Sequence, residues 1–175
     1  GGGLNGGEAS LEQFDLSSGN DSGVEEGASA EIAEIEFDVE DGDILIDRID
    51  LRLVSDSGND EEDPWDAFDS VRLLVDGDEI AEADLSDEDE YLDEDDGTFR
   101  FTNLGLVLME DEEVEILVGA TVAGSVDDAG TTDEGDWTIA VDEVRYFDAD
   151  GVAEDDNTTG DLDPTTSPTA AFDVV

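Results

Sequence analysis

The chain has 175 residues, enough for one domain, and 37% of them are hydrophobic, enough to fill one core. Its charge is extreme, because 55 Asp and Glu stand against five Arg and no Lys, a formal net charge of −50. Such a surface excludes nucleic acid and anionic membranes as expected partners, since both bind through basic patches. The absence of Cys and His excludes disulfides, thiolate metal sites and the common catalytic triads.

The acidity predicts a protein of an extreme halophile, and we expect an archaeal source. In dilute buffer so many like charges oppose compaction, whereas in molar salt the Debye length shrinks to about 3 Å and the repulsion is screened. The alternative is an acidic disordered tail, which would have few aliphatic residues and no periodicity. The alternation described below argues against that alternative.

The chain begins with a glycine-rich leader, GGGLNGG, followed by the segment ASLEQFDL. Leu11, Phe14 and Leu16 give this segment an apolar pattern, so we predict an isolated strand over residues 9–16. The chain has no initiator Met, which predicts that a signal segment has been removed and that the protein is extracellular. A scar left by an expression tag is the alternative explanation of the leading glycines.

Alternation with period 2 predicts strands along most of the remaining chain. The segments that carry it are AEIAEIEFDVE, DILIDRIDLRLV, DSVRLLVDGDEIAEADL, GTFRFTNLGLVL, EEVEILVGATVAG, DWTIAVDEVRYFD and TAAFDVV. A break in the pattern near Asp47 predicts a bulge, and Asp76-Gly77 predicts the turn of a hairpin. One helical turn is predicted at DPWDAF, with Asp63 as its cap and Pro64 in the first helical position.

Eight to ten short strands separated by acidic or small-residue loops are typical of an all-β fold. We predict an antiparallel β-sandwich of immunoglobulin-like or jelly-roll type, and a closed barrel is the alternative that patterning leaves open. Residues 25–175 are predicted to form this single domain, preceded by a flexible leader with its strand over residues 1–24. No apolar run is long enough to span a bilayer, so membrane insertion is not expected.

One acidic loop, FDADGVAEDDN, invites a metal interpretation. It offers four carboxylates around Gly151, those of Asp148, Asp150, Asp155 and Asp156. Hard oxygen ligands on a turning loop suit Ca²⁺, so these residues form a candidate calcium site, and no other cofactor is expected. Compared with an EF-hand loop, the glycine comes two positions early, and Thr159 stands where the bidentate Glu belongs. A hydrated halophilic surface is the alternative.

Two sequons, at Asn20 and Asn157, are candidate N-glycosylation sites in predicted loops. Catalysis is not expected. Among 55 acids some pair will meet the spacing of a glycosidase by chance, and no phosphate-binding glycine loop or serine elbow occurs in the sequence. We therefore predict a protein that is not an enzyme.

Three stretches carry a wider pattern: LEQFDLSSGNDSGVEEGASAEIAEIEFDVE, FDSVRLLVDGDEIAEA and GTFRFTNLGLVLMEDEEVEILVGATVAG. Their order, closed by RYFDADGVAEDDN, resembles a module found in tandem in bacterial and archaeal surface-layer and surface-adhesion proteins. The resemblance implies a β-sandwich at the cell surface. Donor-strand pili and biofilm matrix fibres have β-sandwich subunits of this kind, and the resemblance to them is architectural. The acidic loops are longer here, and only one copy of the module is present.

The leading hypothesis is an extracellular structural subunit that forms a pilus-like filament with copies of itself. Segment 9–16 would leave its own domain and complete the sheet of the next subunit, with Leu11, Phe14 and Leu16 filling its apolar slots. The alternative is that this segment is the first strand of its own sandwich. A different class of function also stays open: a calcium-dependent surface-layer or adhesion module, or a decoration or spike protein of a halophilic virus.

Overall fold

A computed structural model describes residues 3–19, 23–55, 63–126, 136–156 and 169–175, with the backbone alone at 12–15, 156 and 169. The all-β prediction is confirmed. The strands are β1 (Gly6–Ser18), β2 (Gly23–Val24), β3 (Ser29–Gly42), β4 (Ile44–Ser55), β5 (Phe68–Val75), β6 (Asp78–Asp84), β7 (Thr98–Phe101), β8 (Leu106–Leu108), β9 (Val114–Val122), β10 (Asp136–Phe147), β11 (Ala153–Asp156) and β12 (Thr169–Val174).

The strands form two sheets, so the fold is a sandwich and not a closed barrel. The first sheet has the order β1-β3-β9-β5-β6, and the second has the order β2-β12-β10-β4-β7, with β11 paired to β10 and β8 paired to β4. All pairings are antiparallel except the short one between β2 and β12. The inner faces of both sheets form one hydrophobic core.

The predicted alternation decides which side chains enter this core. On β3 the residues Ile35, Phe37 and Val39 are buried, while the acids between them face outward. The hairpin of β5 and β6 turns at Asp76 and Gly77, whose φ angles are 54° and 84°, as a two-residue turn with two positive φ angles requires.

Two bulges shift the alternation between β4 and β10. The register passes from Arg145↔Arg48 to Tyr146↔Ile46, so it skips Asp47, and a second shift skips Asp142. The bulge predicted near Asp47 is therefore confirmed. At each bulge the alternation of apolar and polar residues shifts by one position. The extra residue in the bulge keeps the apolar residues on the core face.

The predicted helical turn is confirmed as α1 (Pro64–Ala67), with Pro64 in its first turn. Asp63 occupies the N-cap position, but within the described part of the chain its side chain makes no capping hydrogen bond. Among the described residues, no helix is long and apolar enough to cross a membrane.

The first sheet includes β1, which pairs with β3 from Gly6 to Ser18. The division of the chain into residues 1–24 and 25–175 stays a prediction. The sequence pattern showed an apolar strand, but it carried no information on which sheet this strand joins.

Three aromatic rings close the core between the two sheets. Phe68 packs edge-on against Trp137 with ring centroids 4.9 Å apart, and against Phe172 with centroids 5.8 Å apart. All three side chains are fully buried. The C-terminal strand β12 is thus held to the core by Phe172.

We predict that Phe172→Ala lowers the free energy of unfolding by about 3–5 kcal/mol, because a large buried ring is replaced by a cavity. Chemical denaturation in molar salt measures the loss. Leu92→Ala is the matched control, since Leu92 is 51% exposed, and its effect should stay within about 0.5 kcal/mol. Equal effects for the two variants would contradict the packing of β12 described here.

Candidate functional site: the N-terminal edge strand

The predicted strand over residues 9–16 is confirmed, and it is longer than expected. It lies within β1, at the end of the first sheet, where its described partner strand is β3. The pairing runs from Gly6↔Gly42 to Ser18↔Ala33. The register shifts twice, once between Gly6 and Ser10 and once between Leu11 and Gln13. An edge strand is the element of a sheet that can most readily be exchanged or extended.

Two of the three residues predicted to form the interface are buried within their own chain. Leu11 is 3% exposed and Leu16 is 6% exposed, and both belong to the hydrophobic core. The backbone of Phe14 is paired opposite Phe37, but its side chain lies outside the described set. β1 also contacts β12 across the core. This is the arrangement that the sequence analysis gave as the alternative to strand donation.

The N-terminal end of β1 is fastened by a buried carboxylate. Asp43, 6% exposed, accepts hydrogen bonds from the backbone N–H of Asn5 at 2.8 Å and from its side-chain amide at 3.2 Å. Its other oxygen accepts the backbone N–H of Glu110 at 3.0 Å, and the Asp43 N–H donates to the Asn5 carbonyl at 2.8 Å. One side chain therefore joins the leader, the β3–β4 turn and the turn before β9.

Glycine is required at this fastening because two backbones touch there. A Cβ built on Gly6 would lie 2.6 Å from the Gly42 Cα, and Gly6 has a φ of 94°. Both the contact and the φ angle are available only to glycine without strain. Part of the glycine-rich leader, at Asn5 and Gly6, thus serves close packing and fastens β1.

The other end of β1 is also held by a close backbone contact. The Gly19 N–H donates to the Ile32 carbonyl at 2.9 Å, and a Cβ on Gly19 would lie 2.2 Å from the Glu31 carbonyl oxygen. From Gly23 the chain continues in β2, which pairs with β12 in the second sheet. The connection between Gly19 and Gly23 therefore passes from one sheet to the other.

The candidate calcium loop is a turn that makes its own hydrogen bonds. Asp148, 4% exposed, accepts the backbone N–H groups of Asp150 at 3.0 Å and Val152 at 2.9 Å. Its backbone N–H donates to the Val152 carbonyl at 3.1 Å. These bonds close the connection from β10 to β11, which is a structural use of the carboxylate.

Among the described side chains, Asp148, Asp150 and Asp155 do not form one cluster. Asp150 is exposed in the turn, whereas Asp155 lies on β11 within 3.3 Å of Arg48 and 3.9 Å of Arg145. The side chain of Asp156 is outside the described set. Both predicted glycosylation sites, Asn20 and Asn157, lie outside the described residues. Calcium binding and glycosylation stay predictions.

A set of ion pairs that the sequence analysis did not single out covers the outer face of the second sheet. Asp50, 3% exposed, receives two hydrogen bonds from Arg100, at 2.8 Å and 2.9 Å. Arg48 pairs with Glu143 on the neighbouring strand β10 and with Asp155 on β11, one strand further. The sequence signal was present in β4, where Arg48, Asp50 and Arg52 alternate with core residues.

The outer face of the first sheet has the opposite character. Glu34, Glu36 and Glu115 bring one carboxylate oxygen each within 4.8 Å of the others. Partial burial, followed by the charges of Glu115 and Glu36, raises the pKa of Glu34. This cluster is a site of charge repulsion, and salt relieves it.

No protein-family model matches the chain, and neither does any curated protein. Solved structures do match most of the chain, and three of them are described below. AvmM, described as catalysing macrocyclization in alchivemycin A biosynthesis, shares 15% identity at a TM-score of 0.46, over 93% of this chain and 87% of AvmM.

The sporulation control protein Spo0M of Bacillus subtilis shares 15% identity at a TM-score of 0.36, over 94% of this chain and 49% of Spo0M. A cohesin module from a family 33 glycoside hydrolase of Clostridium perfringens shares 11% identity at a TM-score of 0.37, over 97% of this chain and 96% of the module. All three TM-scores are below 0.5, so these structures give no information on the function of this chain.

We predict that acid releases the N-terminal end of β1 and that Asp43→Asn loosens it already at neutral pH. Backbone hydrogen bonds from Asn5 and Glu110 lower the pKa of Asp43. The stabilisation is therefore complete above the unfolded pKa of about 3.9 and is lost as the pH falls through the lower folded pKa. Hydrogen exchange at the Asn5 and Glu110 amides, followed in molar salt between about pH 6 and pH 2, measures the release.

The matched control for this experiment is Asp41→Asn, which removes an exposed charge two residues away. It should leave the exchange of both amides and its pH dependence unchanged. Unchanged exchange in the Asp43 variant as well would contradict the fastening.

We predict that Arg100→Met lowers the free energy of unfolding by about 3 kcal/mol, because it leaves the buried Asp50 carboxylate without its bidentate partner. Replacing both residues, in Asp50→Leu with Arg100→Met, should cost less than the single change, since no charge is then left buried. A double-mutant cycle by denaturation in molar salt measures the coupling. Additive effects would contradict the pairing.

Proposed function

We propose that the protein is an extracellular, non-enzymatic structural subunit of a halophile that assembles with copies of itself by exchanging β1. In the assembly, β1 of one subunit occupies the edge of the first sheet of the next subunit. The observation that carries the proposal is the position of β1, a 13-residue edge strand whose apolar side chains Leu11 and Leu16 are buried.

Exchange of β1 costs little free energy because each contact within a subunit is replaced by an identical contact between subunits. In the exchanged form Leu11 and Leu16 fill the same slots, and Asn5 meets the Asp43 of the neighbouring subunit. The balance between closed and exchanged forms then depends on the connection to β2, on protein concentration and on charge repulsion between copies. Molar salt favours exchange because it removes most of that repulsion.

The connection between β1 and β2 is suited to act as the hinge. It has the sequence GNDSG over 19–23, and five residues reach roughly 17 Å when extended. Gly19 and Gly23 tolerate the backbone angles that an open hinge requires. Head-to-tail donation of the strand does not close on itself, so it generates a filament, whereas reciprocal exchange stops at a dimer.

A pair of cysteines across β1 and β3 tests the exchange. Ser17 is paired directly opposite Glu34, a separation that a disulfide spans, and the chain has no other Cys. We expect Ser17→Cys with Glu34→Cys, oxidised in molar salt at rising protein concentration, to give a covalent ladder in steps of 18.6 kDa. Denaturing electrophoresis without reductant reads the ladder, and electron microscopy identifies filaments.

The control pair is Ser29→Cys with Thr121→Cys, where the two hydroxyl oxygens are 2.7 Å apart. Both residues lie in strands that stay in the body, β3 and β9, so this pair should give only a cross-linked monomer. If the β1–β3 pair also gives only a monomer at every concentration, strand exchange is wrong.

A further inference from the structure

The two outer faces of the sandwich differ in charge far more than the composition requires. We define the arginine face as the outward residues of the second sheet that lie in register across β8, β7, β4, β10 and β11. It holds four of the five arginines: Arg48, Arg52, Arg100 and Arg145. Its carboxylates are those of Asp50, Asp136, Asp142, Glu143 and Asp155, with Asp47 in a bulge, so its formal charge is −2.

The outer face of the first sheet shows how unusual this balance is. Its central strands β3, β5 and β9 present one arginine, Arg72, against the carboxylates of Glu31, Glu34, Glu36, Asp38, Glu40 and Glu115, with Asp69 in a bulge. We call this outer face of the first sheet the acidic face. It repels a second copy more strongly than the arginine face does.

The arginine face also carries an apolar row at one end. Four residues on neighbouring strands are paired side by side: Val107, Leu45, Phe147 and Ala153. Val107 is 41% exposed, Ala153 is exposed, and Leu45 and Phe147 are half-buried. Exposed apolar residues that lie side by side are the kind of surface that a protein contact buries.

From the balanced charge and the apolar row, we infer that the arginine face is a docking surface for a second copy of this chain, related by a two-fold axis. A polyanion is not favoured, because Arg48 and Arg100 already pair with carboxylates of their own face and no net positive charge is left. An alternation of arginine and carboxylate is self-complementary, as a two-fold contact requires. The apolar rows of the two copies contribute the hydrophobic part of the contact.

The size of the face suits a specific dimer. The strands β4 and β10 have 12 residues each, and β7, β8 and β11 have 4, 3 and 4. At roughly 3.3 Å per residue and about 4.8 Å between strands, they present about 550 Å². A standard interface buries about 800 Å² of accessible surface on each partner. This planar area does not include the additional accessible surface of the projecting side chains. With that surface added, the area of the face is comparable with that of a standard interface.

The test uses the full chain with its strand exchange blocked. The oxidised, monomer-sized form of Ser17→Cys with Glu34→Cys holds β1 in its own sheet, so any association that it retains arises elsewhere. We expect sedimentation equilibrium in molar salt to give a concentration-dependent dimer. Val107→Glu and, separately, Ala153→Glu should each weaken it by at least about tenfold, because each places a carboxylate in the apolar row.

Val175→Glu is the matched control, because it adds the same charge at a valine that is 50% exposed, away from the arginine face. It should leave the dimer constant unchanged. A locked chain that stays monomeric at millimolar concentration, or a control that weakens the dimer as much as Val107→Glu, would overturn the docking surface. Either result leaves strand exchange untouched, since the ladder experiment tests that separately. Circular dichroism establishes that each variant is folded.

Discussion

The structure depends on where 55 carboxylates can be placed around one small core. A carboxylate in a core is costly unless donors surround it, and among the described residues three are buried: Asp43, Asp50 and Asp148. Each has donors, either backbone N–H groups or an arginine: those of Asp43 and Asp50 come from distant parts of the chain, and those of Asp148 come from its own turn. These three acids therefore join segments: Asp43 fastens the leader, Asp50 links β4 to β7, and Asp148 closes the turn between β10 and β11.

The excess of carboxylates also makes the placement of the arginines important. Five cations cannot neutralise the whole surface, and four of them are gathered on one face. One face is consequently balanced while the other stays acidic, and this difference is a property of the tertiary structure. Two copies therefore repel each other less when they approach through the arginine face than through the acidic face. Salt then acts unequally, because it relieves the acidic face much more than the balanced one.

The two proposed contacts, exchange of β1 and docking of the arginine faces, depend on different interactions. Exchange of β1 gains no new contact, so its equilibrium is governed by the hinge and by concentration. Docking of two arginine faces buries new surface and is governed by desolvation of the ion pairs and of the apolar row. A subunit that has both can extend in one direction through β1 and associate in another through the second sheet.

Much of the fold was already determined by the sequence. Alternation placed the strands and selected core residues such as Ile35 and Phe37, and Asp76-Gly77 specified its turn because few other residues adopt two positive φ angles. Pairing depends on distant residues, so only the tertiary structure decided that β1 joins β3, that Asn5 meets Asp43, and that the acids around Gly151 separate between a turn and an arginine pair. The local sequence pattern fixes which face of the sheet a side chain occupies, but not its partner. The partner is distant in the chain, 38 residues away for Asn5 and Asp43 and 50 residues away for Asp50 and Arg100.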